Sequence, residues 1–231
     1  MDLRDDCLEL GDFLITTVVN SPPWYENCYV VLHRPSGRQV VIDPGGEAER
    51  IAAVVKANGD GPTEILLTHG HPDHLGGVHD LQALIDAPCR AHRQEEPVIA
   101  KVGDWAGAMM RVKLKVPSRL EYFTGEPVLS FGDHFSVRVI LTPGHTPGGV
   151  CYIFDDFVFT GDTLFNQGVG RTDLPGGNGR TLVLSITRLL GEEAGGGGLH
   201  ESLRLYSGHG PDWTVAEARP WWAYMLTSGY I

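Results

Sequence analysis

A short segment near residue 70 holds four side chains that can bind metal ions. It reads Thr68-His69-Gly70-His71-Pro72-Asp73-His74, so three histidines and one aspartate fall within six consecutive positions. Imidazole nitrogens and carboxylate oxygens are good ligands for Zn, Fe and Mn. A lone His-x-His occurs by chance on exposed turns, but this denser pattern predicts a metal-binding loop.

Three further potential ligands occur later in the chain, each beside a glycine. They are His145 in Thr142-Pro143-Gly144-His145-Thr146-Pro147-Gly148-Gly149, Asp162 in Phe159-Thr160-Gly161-Asp162-Thr163, and His209 in Ser207-Gly208-His209-Gly210-Pro211. Each follows a strand-like run, and a rigid scaffold aims side chains well from loops at strand ends. Five histidines and two aspartates are too many for one tetrahedral site. Two metal ions that share a carboxylate would use all seven.

These motifs, in this order, resemble those of the metallo-β-lactamase superfamily, and they span most of the chain. The resemblance implies an α/β fold, the four-layer αββα sandwich, formed as a single domain over residues 1–231. It also implies that the first metal ion is bound by His69, His71 and His145, that the second is bound by Asp73, His74 and His209, and that Asp162 bridges both. Zn is the expected metal, with Fe or Mn as alternatives.

An aspartate outside the ligand set also resembles a family motif. Val41-Ile42-Asp43-Pro44-Gly45 looks like the first motif of the superfamily. There Asp43 would steady the metal-binding loops without binding the metal itself. The alternative is a turn-forming Asp-Pro without a role at the metal site.

The motif set favours hydrolysis by a metal-activated water molecule. A hydroxide that bridges two metal ions is a nucleophile at neutral pH. No Gly-x-Ser-x-Gly elbow and no cysteine beside a histidine offers a protein nucleophile. Asp73 is the predicted catalytic residue, which would orient the hydroxide and shuttle its proton. The expected reaction is hydrolysis of an ester-like, thioester, amide or phosphoester bond.

The loop after Asp162 narrows the substrate by resemblance. The run 168–177, Gly-Val-Gly-Arg-Thr-Asp-Leu-Pro-Gly-Gly, looks like the glyoxalase II-like branch and also like the persulfide dioxygenases. The first resemblance implies a thioester hydrolase acting on an S-2-hydroxyacylglutathione. The alternatives are a mononuclear iron persulfide dioxygenase, a hydrolase of lactams or phosphoesters, and a metal-bearing protein without turnover. Arg171 either binds substrate or pairs with Asp173 to order the loop.

Two further features bear on substrate binding. Only 22 residues follow His209, so the separate C-terminal helical domain that helps glyoxalase II bind glutathione is expected to be absent. The basic stretch from Lys101 to Arg119 includes the alternating run 111–116, which predicts three cations on one strand face. That face is either a patch for an anionic substrate or a charged edge strand. The loop Pro22-Pro23-Trp24-Tyr25 either flanks the metal cleft or is a structural turn.

Composition excludes several other classes of protein. The 231-residue chain has 18 Lys plus Arg against 29 Asp plus Glu, a formal net charge of −11. This balance argues against a nucleic-acid partner. The expected partner is a small molecule, for which the family resemblance implies a glutathione thioester. No apolar run approaches the ~20 residues of a membrane span, and the charged N-terminus lacks a signal-peptide core. With four scattered cysteines expected to be reduced, the predicted location is cytoplasmic, and the oligomeric state stays open.

Strands and helices must alternate to position these ligands. Hydrophobic periodicity predicts helices at 48–57, at about 75–85, at 181–190 and from Thr214, where Thr214-Val215-Ala216-Glu217 forms a capping box. Strand-like runs occur at 7–20, 28–33, 39–42, 64–68, 135–141, 150–154, 157–160 and 203–206. Two β-rich halves, each with helices, predict two sheets covered by helices.

Overall fold

The computed structural model describes residues 6–104, 114–191 and 198–229. The chain divides into two compact units. The first comprises residues 1–124 and 131–135, and the second comprises residues 125–130 and 136–231. Each unit combines a sheet with helices, as the two β-rich halves of the sequence predict. The prediction of one domain over residues 1–231 stays a prediction.

The first unit is built on a mixed sheet, seven-stranded over the residues described. Its strands lie in chain order: β1 (Asp6–Leu10), β2 (Phe13–Val19), β3 (Asn27–His33), β4 (Arg38–Ile42), β5 (Thr63–Leu66), β6 (Cys89–His92) and β7 (Leu120–Phe123). Its helices are α1 (Ala48–Ala57), α2 (Pro72–Leu75), α3 (Val78–Leu84) and α4 (Glu96–Ile99), the last preceded by a 3₁₀ turn at Arg93–Glu95. Strands β1 to β4 are antiparallel, and β4 to β7 run parallel.

The core of the first unit lies between one face of this sheet and its helices. Val30 and Val41 project from the central strands against Ile51 of α1, and all three side chains are fully buried. The apolar residues of α1 recur at helical spacing, so one stripe of the helix faces the sheet. Burial of each such side chain contributes about 1.5–3 kcal/mol. The loops at the strand ends are therefore mounted on a rigid base.

Parallel pairing sets where the loops of the first unit emerge. Ile42 of β4 is in register with Leu66 of β5, and Leu66 is in register with Arg90 of β6. The carboxyl ends of parallel strands meet at the same edge of a sheet. The segments that follow β4, β5 and β6 therefore lie side by side, which places Asp43 and the histidine-rich loop next to each other.

The second unit contains a six-stranded sheet in the described part of the chain. Its order is β15-β14-β11-β10-β9-β8, in which the strands are β8 (Val128–Phe131), β9 (Phe135–Leu141), β10 (Val150–Ile153), β11 (Phe157–Gly161), β14 (Arg204–Ser207) and β15 (Trp213–Thr214). A small hairpin pairs β12 (Leu164–Phe165) with β13 (Gly168–Val169). Two helices, α5 (Gly179–Leu190) and α6 (Val215–Ser228), complete the unit.

The helices of the second unit cover one face of its sheet. Ile186 of α5 and Trp222 of α6 pack with Cys151 and Val158 of the sheet in one buried cluster. The capping box predicted at Thr214 is confirmed. The Glu217 amide donates to Thr214 Oγ1 at 3.2 Å, and the Glu217 carboxylate accepts from the Thr214 amide at 2.8 Å.

Several details differ from the sequence-based expectations. The helix predicted over 75–85 is two helices, because the Gly77 amide donates to Pro44 O instead of continuing the helical ladder. Strands β6, β7 and β8 were not predicted from the sequence, and neither were the two-residue strands β12, β13 and β15. The strand predicted over 111–116 is wrong for 114–116, which have no regular structure, and 111–113 lie outside the described residues.

The helices were compared with what a membrane span requires. Among the residues described, none of the helices combines the length and the hydropathy needed to cross a bilayer. The cytoplasmic location stays a prediction.

Candidate metal centre

The first unit gathers four of the predicted ligands in the loop between β5 and α2 and in α2 itself. His69 and His71 precede the helix, with Pro72 at its first turn, and Asp73 and His74 lie within it. The three histidines are at most 4 % exposed. The His69 ring centroid lies 4.8 Å from that of His71 and 4.1 Å from that of His74. The spacing of the motif thus brings three imidazoles into one buried cluster.

Asp43 holds this cluster from the loop that follows β4. Its Oδ1 accepts a hydrogen bond from the Thr68 amide at 2.7 Å, and its Oδ2 accepts from Thr68 Oγ1 at 2.5 Å. The same Oδ2 lies 3.0 Å from His74 Nδ1. Because a carboxylate only accepts, Nδ1 must carry the proton, which leaves the ring lone pair of His74 on Nε2, as a metal ligand would require.

Two more carboxylates lie beside this loop, and neither was predicted from the sequence. Glu26 is fully buried, accepts from Asn20 Nδ2 at 2.5 Å, and has its Oε1 at 3.9 Å from His74 Nδ1. Glu95 is also fully buried, and its Oε2 accepts from the Gly70 amide at 2.7 Å. Neither belongs to a motif, so only a contact map could have identified them.

The second unit brings the other three predicted ligands together. His145 follows β9, Asp162 follows β11, and His209 follows β14. Strand β11 pairs in parallel with β14, and β9 and β11 are both antiparallel to the intervening β10. The three strands therefore end at one edge of the sheet. His145 Nε2 lies 3.5 Å from Asp162 Oδ2, and His209 Nε2 lies 3.7 Å from the same oxygen.

These separations fit the spacing of neighbouring ligand atoms in a metal site. Two ligand atoms at ~2.1 Å from one ion in tetrahedral geometry lie about 3.4 Å apart. Asp162 Oδ2 has about this separation from one nitrogen on each of two histidines. In the first unit, ligand atoms of Asp43, His69 and His74 also lie within 4.8 Å of one another. The donor set is therefore suited to divalent ions that take nitrogen and oxygen ligands.

The loop after β13 sets the orientation of His145. Its Nδ1 donates to the carbonyl oxygen of Arg171 at 2.6 Å, so Nε2 is directed toward Asp162. A Cβ atom at Gly170 would lie 1.9 Å from Asp162 O and 2.9 Å from the His145 ring. Glycine at this position is thus a steric requirement of the close approach between the loop and the two ligands.

The Arg171 side chain pairs with Asp173 in the structure. Its Nε lies 2.7 Å from Asp173 Oδ1 and its Nη2 lies 2.8 Å from Oδ2, a bidentate arrangement. The hydrogen bonds from Arg171 lower the pKa of Asp173 to about 2. This geometry agrees with the loop-ordering alternative, and substrate binding by Arg171 stays a prediction.

The basic stretch and the loop at 22–25 were the other sequence-based candidates for substrate binding. In the basic stretch, Arg119 pairs with Asp86, Lys115 Nζ lies 4.0 Å from Asp80, and Arg111 and Lys113 lie outside the described residues. Pro22-Pro23 is a cis peptide, and the following Tyr25 is 59 % exposed.

The four cysteines are free thiols, as predicted. Burial raises the pKa of Cys151 to about 11. Burial and the charge of Asp43 raise the pKa of Cys89 further. Both buried thiols are therefore poor nucleophiles at physiological pH.

Comparison with known proteins gives consistent matches. The family model described as "Metallo-beta-lactamase superfamily" matches residues 21–196. A hydroxyacylglutathione hydrolase, GloC of Haemophilus influenzae, is 31 % identical over 185 residues, which cover 78 % of this chain and 83 % of the relative.

Two solved structures are similar over most of their length. The BLEG-1 B3 metallo-beta-lactamase superposes with a TM-score of 0.77 at 30 % identity, covering 89 % of this chain and 96 % of the other. TTHA1623, solved in a di-iron-bound form, superposes with a TM-score of 0.74 at 34 % identity, covering 87 % and 95 %.

Proposed function

The chain belongs to the metallo-β-lactamase superfamily, and we propose that it is a hydrolase that uses two divalent metal ions to cleave a thioester. The family fold expected from the four motifs is confirmed by the family model and by the superposed structures. The metal count and the substrate class are the proposed part.

The position of Asp162 is the observation that carries the proposal. Its Oδ2 lies 3.5 Å from His145 Nε2 and 3.7 Å from His209 Nε2, so this oxygen can bind an ion together with each histidine. We propose that the full ligand set is the one expected from the family motifs: His69, His71, Asp73, His74, His145, Asp162 and His209. The di-iron form of TTHA1623 supports a count of two and makes iron an alternative to zinc.

The metal ions, when bound, would lower the pKa of water from about 15.7 toward 7 and polarise the substrate carbonyl. The protein residues would position the attacking water and transfer its proton. Asp73 has its Oδ2 at 3.9 Å from His74 Nε2, and its side chain is 14 % exposed, so its carboxylate can reach both the ligand cluster and solvent. We propose that Asp73 orients the attacking water and accepts its proton.

The reaction would replace a C–S bond by a C–O bond. Water adds to the thioester carbonyl, the thiolate leaves, and the proton taken by Asp73 passes to the departing sulfur. The products are a carboxylic acid and a thiol. His145, held by the Arg171 carbonyl, and His74, held by Asp43, keep their Nε2 atoms in fixed directions during this sequence. Fixed ligands stabilise the transition state without reorganisation.

Two observations support a glutathione thioester as the substrate. The relative from Haemophilus influenzae is a hydroxyacylglutathione hydrolase, and the alignment covers 83 % of its length. The loop from Gly168 to Gly177, which holds His145 through Arg171, resembles both the glyoxalase II-like branch and the persulfide dioxygenases, so it supports a glutathione-derived substrate. We propose an S-2-hydroxyacylglutathione as the substrate class.

Metal quantification tests the first part of this proposal. Protein purified without added metal is analysed by elemental mass spectrometry, before and after dialysis against a chelator. We expect two equivalents of metal per chain in the wild type and a clear loss of metal in Asp162→Ala. Asp155→Asn, which alters an exposed acid of the same unit, serves as the matched control. Retention of two equivalents by Asp162→Ala would contradict the shared-carboxylate assignment.

A substrate panel tests the second part. Release of thiol from S-lactoylglutathione is measured beside hydrolysis of a β-lactam and a phosphodiester, and beside oxygen uptake with glutathione persulfide. We expect turnover of the thioester, lost in Asp73→Asn and retained in Asp155→Asn. Oxygen uptake with one iron per chain would establish the persulfide dioxygenase alternative instead. Faster turnover of the lactam would assign the protein to the lactamases.

A further inference from the structure

Glu95 is a fully buried carboxylate placed against the metal-binding loop by the sheet of the first unit. Strands β5 and β6 pair in parallel, and the Leu67 amide donates to Arg90 O at 2.9 Å. The loop that follows β5 therefore runs beside the 3₁₀ turn that follows β6. Glu95, the last residue of this turn, is 0 % exposed, whereas Arg93 and Glu96 on either side are exposed.

The contact between Glu95 and the loop falls between two predicted ligands. Glu95 Oε2 accepts from the amide of Gly70, the residue between His69 and His71, at 2.7 Å. A Cβ atom at Gly70 would lie 3.0 Å from this oxygen and 2.7 Å from Ile99 Cγ1. The glycine of the His-Gly-His motif is thus required by the carboxylate and by the α4 residues packed behind it.

The charge of Glu95 is the informative feature. A neutral amide could accept the same hydrogen bond, whereas a carboxylate removed from water costs several kcal/mol more unless positive charge lies nearby. Glu26 and Asp43 are two further carboxylates that are at most 2 % exposed in this unit. Divalent cations at the histidine cluster would place positive charge beside these three buried carboxylates.

We propose that Glu95 is a positioning residue for the metal ion bound by His69 and His71. It fixes the backbone between these two ligands through the Gly70 amide, and its charge offsets part of the charge of the ion. This inference rests on the proposed metal-dependent function. The role of Glu95 is tested by metal affinity in the absence of substrate, whereas the proposed function is tested by thioester turnover of the wild type. Either proposal can therefore fail while the other holds.

The test compares two variants of Glu95 in the full chain. Glu95→Gln keeps an acceptor for the Gly70 amide but removes the charge, and Glu95→Ala removes both. Zn affinity is measured by competition with a chromophoric chelator. Removal of a residue that orients metal ligands typically costs 10–100-fold in affinity. We expect a loss of about this size at one of the two ions in Glu95→Ala and a smaller loss in Glu95→Gln.

A spectroscopic readout and a matched control separate positioning from a structural role. The visible absorption of the Co²⁺-substituted protein reports ligand geometry, and we expect it to change in Glu95→Ala and to be partly restored in Glu95→Gln. Glu96→Gln, at an exposed acid that pairs with Arg93 at 3.2 Å, should leave affinity and spectrum unchanged. Wild-type affinity and spectrum in both Glu95 variants would overturn the proposal. So would an affinity loss fully matched by lower thermal stability of the metal-free protein.

Discussion

Replacement of Asp43 by asparagine would test how the protein sets the tautomer of His74, a proposed metal ligand. The Asp43 carboxylate accepts from the Thr68 amide through Oδ1 and from His74 Nδ1 through Oδ2. An asparagine side chain has one acceptor oxygen and one donor NH₂ group. In one orientation the NH₂ group faces the Thr68 amide, which can only donate. In the other orientation it faces the protonated Nδ1 of His74, so it meets a donor in both cases.

The structure sets the size of the expected effect. If the NH₂ group faces His74, the ring must move its proton to Nε2, the nitrogen that would bind metal. If it faces Thr68, a buried N–H of the metal-binding loop loses its acceptor. A buried donor without a partner costs about 1–3 kcal/mol, which corresponds to about 5- to 150-fold in an equilibrium constant. We therefore expect Asp43→Asn to weaken metal binding within this range.

The assay is competition for Zn with a chelator, combined with nitrogen-detected NMR of the histidine rings. The ring signals should show His74 protonated at Nδ1 in the wild type and a change of tautomer, or a disordered loop, in the variant. Asp60→Asn changes an exposed aspartate of the same unit and serves as the control. Zn affinity in Asp43→Asn within twofold of the wild type would refute the reasoning.

Three further predictions follow from other contacts. If the Arg171–Asp173 pair orders the loop that holds His145, then Arg171→Ala and Asp173→Ala should lower kcat/KM equally. If Arg171 instead binds the substrate, Arg171→Ala should lower kcat/KM much more than Asp173→Ala. Thr214→Ala removes the cap of α6 and should cost about 1 kcal/mol of unfolding free energy, seen as a fall of about 2–4 °C in Tm. Arg188 lowers the pKa of Glu126 by hydrogen bonding, so this pair stabilises the protein above the unfolded pKa of ~4.3 and loses its effect as the pH falls through the lower folded pKa. Glu126→Gln should therefore be less stable than the wild type at pH 7, and equally stable at low pH in denaturant titrations.

Local chemistry in the sequence was enough to indicate the family, and it also predicts a ligand set. Each family motif can be recognised from a few adjacent residues. This holds for the segment from His69 to His74 and for the glycine-flanked His145, Asp162 and His209. The helix at 48–57 and the capping box at Thr214 were likewise predictable, because helical periodicity and capping depend on neighbours three or four positions apart.

Contacts between distant segments could be decided only by the tertiary structure. Glu26 and Glu95 meet the metal-binding loop because parallel strands and long loops bring them there, and no spacing rule in the chain records this. The carbonyl of Arg171 orients His145 although the two residues lie 26 positions apart. A metal ligand is recognised by residue type, which the sequence contains. The groups that orient a ligand are identified by their distance from it. Residues that are remote in the chain come close together only when the sheets have formed.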